Sequence, residues 1–317
     1  YGDKLSKIAE KNKVNLEFEA SVCGGVPIIR CLKEGLIANK ISKIYGIFNG
    51  TSNYILSSMD EHNKEFKEVL SDAQRLGYAE ANPSSDLNGD DVSSKLKILS
   101  SLCFNSFLNN KIYVEGIKEI DKIDIINANR LGYRIKLLGF AELINKKIYQ
   151  RVHPTLIKKE SYVASIDGVL NAVIIDGKPV GQSIIQGEGA GPAATTSALI
   201  SDISSILRGN VKFPFSVSSN ERKKLKFCNI EERYFSVYSR FEVLDKPGVL
   251  SIITNIFSKN KVSIKRLVQN PDRNKKTSSI VIITHKSKDK SLKKIIKEVA
   301  KKSFIKRNPK IIRIDEN

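Results

Sequence analysis

The chain has 317 residues, enough for two or three domains, each with its own core. Hydrophobic residues make up 41% and charged residues 27%, both globular values; no apolar run reaches membrane-spanning length and no signal peptide is evident, so a soluble, cytoplasmic protein is expected. The formal charge of +19 raises nucleic-acid binding, but most of the excess falls after Ser216, on lysines scattered through amphipathic segments without interleaved aromatics. A solvated basic face is expected there, with no specific nucleic-acid surface.

The chain begins at Tyr1, and its single methionine is Met59. It therefore reads as a fragment of a longer polypeptide. The four cysteines, Cys23, Cys31, Cys103 and Cys228, have no C-x-x-C spacing and read as reduced residues, outside any metal site or disulfide framework.

Residues 1–12 pattern as a helix and 14–20 as a short strand, which runs into SVCGGVPIIR. Gly24 and Gly25 supply either a sharp turn or a place where backbone carbonyls converge on a ligand or cation; both readings stay open. Pro27 suits the first turn of a helix carrying Ile28, Ile29, Leu32 and Leu36. Residues 41–48 form the next strand and deliver NGTSNYIL, where Thr51 or Ser52 is expected to cap a helix. Exposed N–H groups at that helix start can take a carboxylate. Residues 66–76 make an amphipathic helix. Strands follow around 112–114, in RLGYRIKLLGFAEL, at 148–153 and through SIDGVLNAVIIDG, with a short helix at 121–129. His153, before Pro154 at an expected strand end, reads as structural. GEGAGP, with Gly187, Gly189 and Gly191, precedes a helix over 193–207 but has no βαβ unit around it. A polar stretch at 208–229 reads as a linker. From Tyr234 the order is βαββαβ, a two-layer unit of antiparallel sheet and two helices.

The stretch GYAEANPSSDLNGDDVSSKLKILSSL holds the chemistry. A turn through Pro83, Ser84, Ser85, Asn88 and Gly89 gives way to a helix from Asp90. Its apolar face gathers Val92, Leu96, Leu99 and Leu102, and a serine-rich face with Lys97 is expected to be wet. Asp91 and Lys95 fall four apart inside the apolar stripe, with Glu80 and Asp86 just upstream. The plain reading is an ion pair at the helix flank. The sharper one is a lysine held among apolar groups and carboxylates, suited to proton transfer at a substrate hydroxyl or carbonyl.

These segments together resemble homoserine dehydrogenase along the whole chain. The resemblance rests on EASVCGGVPIIR, YGIFNGTSNYIL, AQRLGYAEANPSSDLNGDDVSSKLKIL, LGYRIKLLGFAE, VHPTLI, DGVLNAV and GEGAGP, and on DKPGVL opening an ACT-type regulatory domain. It implies an α/β protein: an α+β catalytic and dimerisation domain with a remnant of a Rossmann domain, plus a ferredoxin-like ACT domain. The implied boundaries are 1–16 for the tail of a truncated nucleotide-binding domain, 17–185 for the catalytic domain and 186–212 for the segment returning to the nucleotide-binding domain. A linker at 213–230 and the ACT domain at 231–317 complete them.

By resemblance, the activity is NAD(P)-dependent interconversion of L-homoserine and L-aspartate 4-semialdehyde, serving threonine, methionine and isoleucine biosynthesis. Lys95 is implied as the acid/base and Asp91 as its orienting partner. Glu80 is the implied anchor of the substrate ammonium, and Asp86, Asn49 and Thr51 are implied in the substrate pocket. Gly77 and Gly189 are implied at the cofactor, and Glu19, Val22, Gly24 and Val26 at a Na+ site. Asp245 and Gly248 are implied effector-binding residues, with L-threonine as effector, and the assembly is at least a homodimer. Ala81-Asn82-Pro83 replaces the usual Ala-Asp-Pro, and Ser52 replaces Thr. The family's dinucleotide-binding strand and glycine-rich loop have no counterpart in residues 1–317, so this portion is expected to hold the substrate half of the site and to be inactive by itself. A non-catalytic amino-acid-binding regulatory protein is the alternative reading.

Overall fold

The computed structural model describes residues 1–107, 111–209, 212–272 and 276–315. Helix α1 (Gly2–Asn12) leads into an irregular segment and a 3-10 turn at Glu19–Ser21, so the strand expected over 14–20 does not form. Its acidic groups find local partners in place of a neighbouring strand: Lys33 Nζ lies 2.8 Å from Glu17 Oε2, and the Glu19 carboxylate accepts the backbone N–H groups of Ile29 and Arg30, each at 2.8 Å. Helix α2 (Ile28–Arg30) passes directly into a π turn at Cys31–Gly35 and buries Ile28, Ile29 and Leu32.

Strand β1 (Lys40–Ile47) feeds α3 (Gly50–His62). The cap is Asn49, two residues before the expected Thr51 and three before Ser52. Asn49 keeps extended backbone, and its Oδ1 accepts from Ser52 N at 2.8 Å, the geometry a cap requires. Next come α4 (Phe66–Arg75), the one-turn α5 (Ser84–Asn88) within the expected loop, and α6 (Asp90–Phe104), with Gly89 at φ 86 between the last two. They are followed by β2 (Tyr113–Val114), α7 (Lys122–Arg130), β3 (Tyr133–Ile144) and β4 (Lys147–Lys158). His153 is buried within β4, which continues through Pro154, so the expected strand end is not there. Strands β5 (Leu170–Lys178) and β6 (Gly181–Glu188), helix α8 (Pro192–Leu207) and β7 (Lys226–Phe227) complete this region.

Two compact units emerge. The first comprises Tyr1–Ile126, Lys136–His153 and Glu160–Cys228; the second comprises Asn127–Ile135, Pro154–Lys159 and Asn229–Asn317. In the first, strands run in the order β6-β5-β1-β3-β4, with β1 antiparallel to both β3 and β5. Helices α3 and α6 bury Ile55, Leu56, Met59, Val92, Leu96 and Leu99, each contributing about 1.5–3 kcal/mol if fully removed from water. Phe48 sits just beyond β1, and its ring packs where a Cβ on Gly139 would come within 2.6 Å, so the glycine in β3 makes room for it. The segment expected as a linker is fixed to this unit. Arg222 pairs with Asp3 at 3.2 Å and Glu10 at 2.6 Å and lies over the rings of Phe107 and Phe215. A guanidinium that can pair and stack at once holds a polar segment that composition alone would leave free.

The second unit contains β8 (Tyr234–Leu244), α9 (Val249–Lys259), β9 (Ile264–Asp272), β10 (Thr277–Thr284), β11 (Ser287–Lys288), α10 (Asp289–Ala300) and β12 (Lys310–Asp315). Its sheet runs β12-β8-β10-β9, antiparallel throughout, as the βαββαβ pattern requires. Ile253 and Phe257 of α9 and Leu292, Ile295 and Val299 of α10 are buried, with Phe241 and Phe257 edge to face at 6.2 Å.

Candidate active site

The site is built where the end of β1 meets the start of α6. Lys95 and Asp91 are one helical turn apart, and Lys95 Nζ lies 2.8 Å from Asp91 Oδ2. The same ammonium donates to Phe48 O at 2.9 Å. The backbone just beyond β1 and the first turn of α6 thus fix the amine from two directions. The pair is only partly withdrawn from water, with side-chain exposures of 19% for Lys95 and 28% for Asp91, so a small molecule can reach it.

Asn49 organises the acids. Its Nδ2 donates to Asp86 Oδ1 and to Asp91 Oδ2, both at 2.8 Å, while its Oδ1 caps α3. Ser52 Oγ donates to Asp86 O at 2.9 Å and fixes α5 against the start of α3. Thr51, expected at the substrate, uses its hydroxyl to hold the neighbouring loop: Oγ1 donates to Tyr78 O at 2.7 Å. That bond brings the loop carrying Glu80 to the N-terminus of α3. Glu80 is exposed, and its carboxylate takes no partner among the described residues. Gly77 occupies the left-handed region at φ 77 with open space around it.

Cys23 is fully buried at φ 58 in the turn before Gly24. Burial pushes its thiol up to about 12, and the charges of Lys95 and Asp91 both act on it. This places the glycine turn close behind the lysine and keeps the cysteine a neutral packing group. A Cβ on Gly24 would come within 2.6 Å of Gly189 O, and Gly25 N donates to Glu188 O at 3.0 Å. The GEGAGP loop therefore lies directly on the VCGGV turn. Of the residues implied at a cation, Glu19 is buried with both carboxylate oxygens bonded to Ile29 N and Arg30 N, so its carboxylate serves as the cap of α2. No group of three or more His, Cys, Asp or Glu side chains suited to a metal occurs among the described residues.

The sequence pattern did not single out Lys136, which is buried more deeply than Lys95. Lys136 on β3 is 1% exposed, and its Nζ donates to Asn53 Oδ1, Ser57 Oγ, Ile166 O and Asp167 Oδ1. Asn53 in turn donates to Ile166 O, Gly168 O and Leu170 O. The signal was available: in YRIKLLGFA a single lysine interrupts an apolar run, and a lysine there needs several acceptors. The serine face of α6 also departs from expectation. Ser100 and Ser101 are buried and donate back to helix carbonyls, and Ser100 Oγ accepts from Gln150 Nε2. Small hydroxyls satisfied within their own helix need no water.

Asp245 and Gly248 lie at the mouth of α9. Gly248 is at φ 87, and a cavity of about 460 Å³ is lined by Asp245, Gly248, Leu250, Gln269 and Ile280. No helix among the described residues is long and apolar enough to cross a membrane.

Residues 27–204 match the family model for homoserine dehydrogenase, and residues 240–303 match the ACT domain model. A homoserine dehydrogenase of Neisseria gonorrhoeae is 40% identical, over 99% of this chain and 74% of its own length. A crystal structure of a homoserine dehydrogenase from Thiobacillus denitrificans superposes with a TM-score of 0.91 at 36% identity, covering 99% of this chain and 73% of that one. A hyperthermophilic archaeal homoserine dehydrogenase mutant in complex with NADPH is similar over 67% of this chain and 61% of its own, with a TM-score of 0.57 and 29% identity.

Proposed function

Because this chain belongs to the homoserine dehydrogenase family, we propose that the Lys95 cluster carries the oxidation of L-homoserine to L-aspartate 4-semialdehyde and the reverse reduction. The observation that carries the assignment is one lysine fixed by Phe48 O and Asp91, beside an acid cluster held by Asn49 and open to solvent. The family's cofactor, NAD(P), supplies the hydride acceptor. The one glycine-rich strand-turn-helix noted among the described residues, β6 through GEGAGP into α8, starts from a strand antiparallel to β5 and lies outside a βαβ unit. The cofactor contact offered here is the backbone around Gly189 and, across the site, Gly77. The exposed Leu199, Ile200, Ile203 and Leu207 of α8 support residues 186–212 as the segment that meets a nucleotide-binding domain.

The substrate ammonium pairs with the unpartnered Glu80 carboxylate and the nearby acids, and its carboxylate meets the first N–H groups of α3, where the helix dipole favours an anion. That places the reacting hydroxyl toward Lys95. The neutral amine takes the hydroxyl proton as the carbonyl forms, and the ammonium returns it in reduction. Asp91 and Phe48 O aim the Nζ lone pair, while Asn49 Nδ2 bridges Asp86 and Asp91 and fixes both carboxylates. The carbonyls of Glu19, Val22, Gly24 and Val26 are assigned to a Na+ ion, and the cavity beside Asp245 and Gly248 to L-threonine. A cytoplasmic homodimer in threonine, methionine and isoleucine biosynthesis completes the reading.

Replacing Lys95 by Ala in the enzyme tests it. Homoserine-dependent NADP+ reduction is expected to fall by at least about a hundredfold with an unchanged circular dichroism spectrum; near-normal turnover would remove Lys95 from the mechanism.

A further inference from the structure

The second compact unit holds a basic cavity that the dehydrogenase chemistry does not use. Its volume is about 210 Å³, and its walls come from the last turn of α7 and from one face of β9. Strand alternation places Arg266, Val268 and Asn270 on that face, with Val281 opposite Val268 and Ser279 opposite Asn270. Asn127 and Arg130, three apart, share one side of α7. Asn127 is fixed by donating from Nδ2 to Tyr238 Oη at 3.1 Å.

Two features point to an anionic ligand. The guanidinium groups of Arg130 and Arg266 have no carboxylate partner among the described residues, and no acid lines the cavity. Ser279 Oγ, one strand from Asn270 on the same face, is buried without a hydrogen-bond partner. Two unpaired guanidinium forks, side-chain amides and an unanswered hydroxyl match the oxygens of a phosphoryl group.

We propose that this cavity binds a small molecule bearing a phosphate group, at a site separate from both Lys95 and the mouth of α9. Its volume admits inorganic phosphate or a short phosphate ester and is too small to enclose a nucleotide.

Calorimetric titration of the full chain with inorganic phosphate at low salt tests this. Saturable binding at one site per chain is expected, weakened about tenfold or more by Arg130→Gln and by Arg266→Gln, and unaffected by Lys302→Gln at the exposed residue just beyond α10. Arg266→Lys, which keeps the charge but loses the fork, is expected to fall in between and guards against a folding defect in the glutamine variant. Three results would overturn the assignment: no saturable heat at millimolar phosphate, binding that persists in the Arg130→Gln/Arg266→Gln double variant, or succinate binding as tightly as phosphate.

Discussion

Asn171 Oδ1 lies so close to Gly189 that a Cβ on the glycine would stand 1.1 Å from it. The same side chain donates from Nδ2 to Ile47 O at 2.8 Å. The GEGAGP loop therefore presses on an amide that steadies the last residue of β1, immediately before Phe48 and Asn49. Gly189→Ala must displace Asn171, and about 1–3 kcal/mol of stability is expected to be lost. Turnover should fall as well, because Phe48 O accepts from Lys95 and Asn49 holds the Asp91 that pairs with it. A double-mutant cycle with Asn171→Ala, read by denaturant unfolding, should show the two costs to be non-additive; simple additivity would mean that the alanine is accommodated elsewhere.

Lys136 closes the opposite side of α3. Acceptors of its Nζ come from α3 and from the 166–167 turn, and Lys136→Met leaves them facing an apolar group. A loss of about 2–3 kcal/mol is expected, below the range for a fully buried broken pair because Asp167 is 43% exposed. Since Asn53 follows the Asn49 cap by one turn, KM for homoserine should rise more than kcat falls. An unchanged KM together with the stability loss would confine Lys136 to the scaffold.

Legibility in the sequence tracked periodicity and spacing. The i, i+4 placement of Asp91 and Lys95 inside an apolar stripe marks the pair in the sequence, because helix geometry alone brings them together. Likewise, the alternation and turn residues after Tyr234 gave the βαββαβ order. What stayed hidden depended on partners distant in sequence. Thr51 could not be seen to hold Tyr78, nor Arg222 to pin the presumed linker onto α1, since those bonds exist only after folding. The failed strand at 14–20 has the same origin, as Glu17 and Glu19 are claimed by groups 10 to 16 residues away.

Glu19 sets a pH dependence. Burial raises its pKa above the ordinary 4.5, outweighing the N–H groups of Arg30 and Ile29 that favour the anion. Asp202, whose Oδ2 accepts from Glu19 N at 2.9 Å, is also raised, chiefly by burial. For a carboxyl raised in the folded state, the stabilising contribution is complete below its unfolded value and disappears as pH rises through the folded value. Relative to Glu19→Gln, the parent chain should therefore gain stability as pH falls from neutral toward 4.5. Denaturant unfolding of both proteins across that interval checks the sign. A gap that widens in favour of the parent with rising pH would show that the capping bonds dominate over burial.

The mouth of α9 provides the last test. Gly248 at φ 87 lets the DKPG turn place the first N–H groups of α9 beside a cavity of about 460 Å³, with Asp245 on its rim. An amino acid fits that polarity: the helix N-terminus favours its carboxylate and Asp245 its ammonium. Titrating the full chain with L-threonine should release measurable heat, and Asp245→Ala should weaken binding about tenfold while leaving homoserine oxidation without effector unchanged. Gly248→Ala should cost about 1–2 kcal/mol from the left-handed backbone alone and weaken binding through the displaced turn. If millimolar threonine gives no heat but another amino acid does, and Asp245→Ala abolishes that response, the site stands and the effector is the other amino acid. Heat that survives Asp245→Ala unchanged would move the ligand away from this turn.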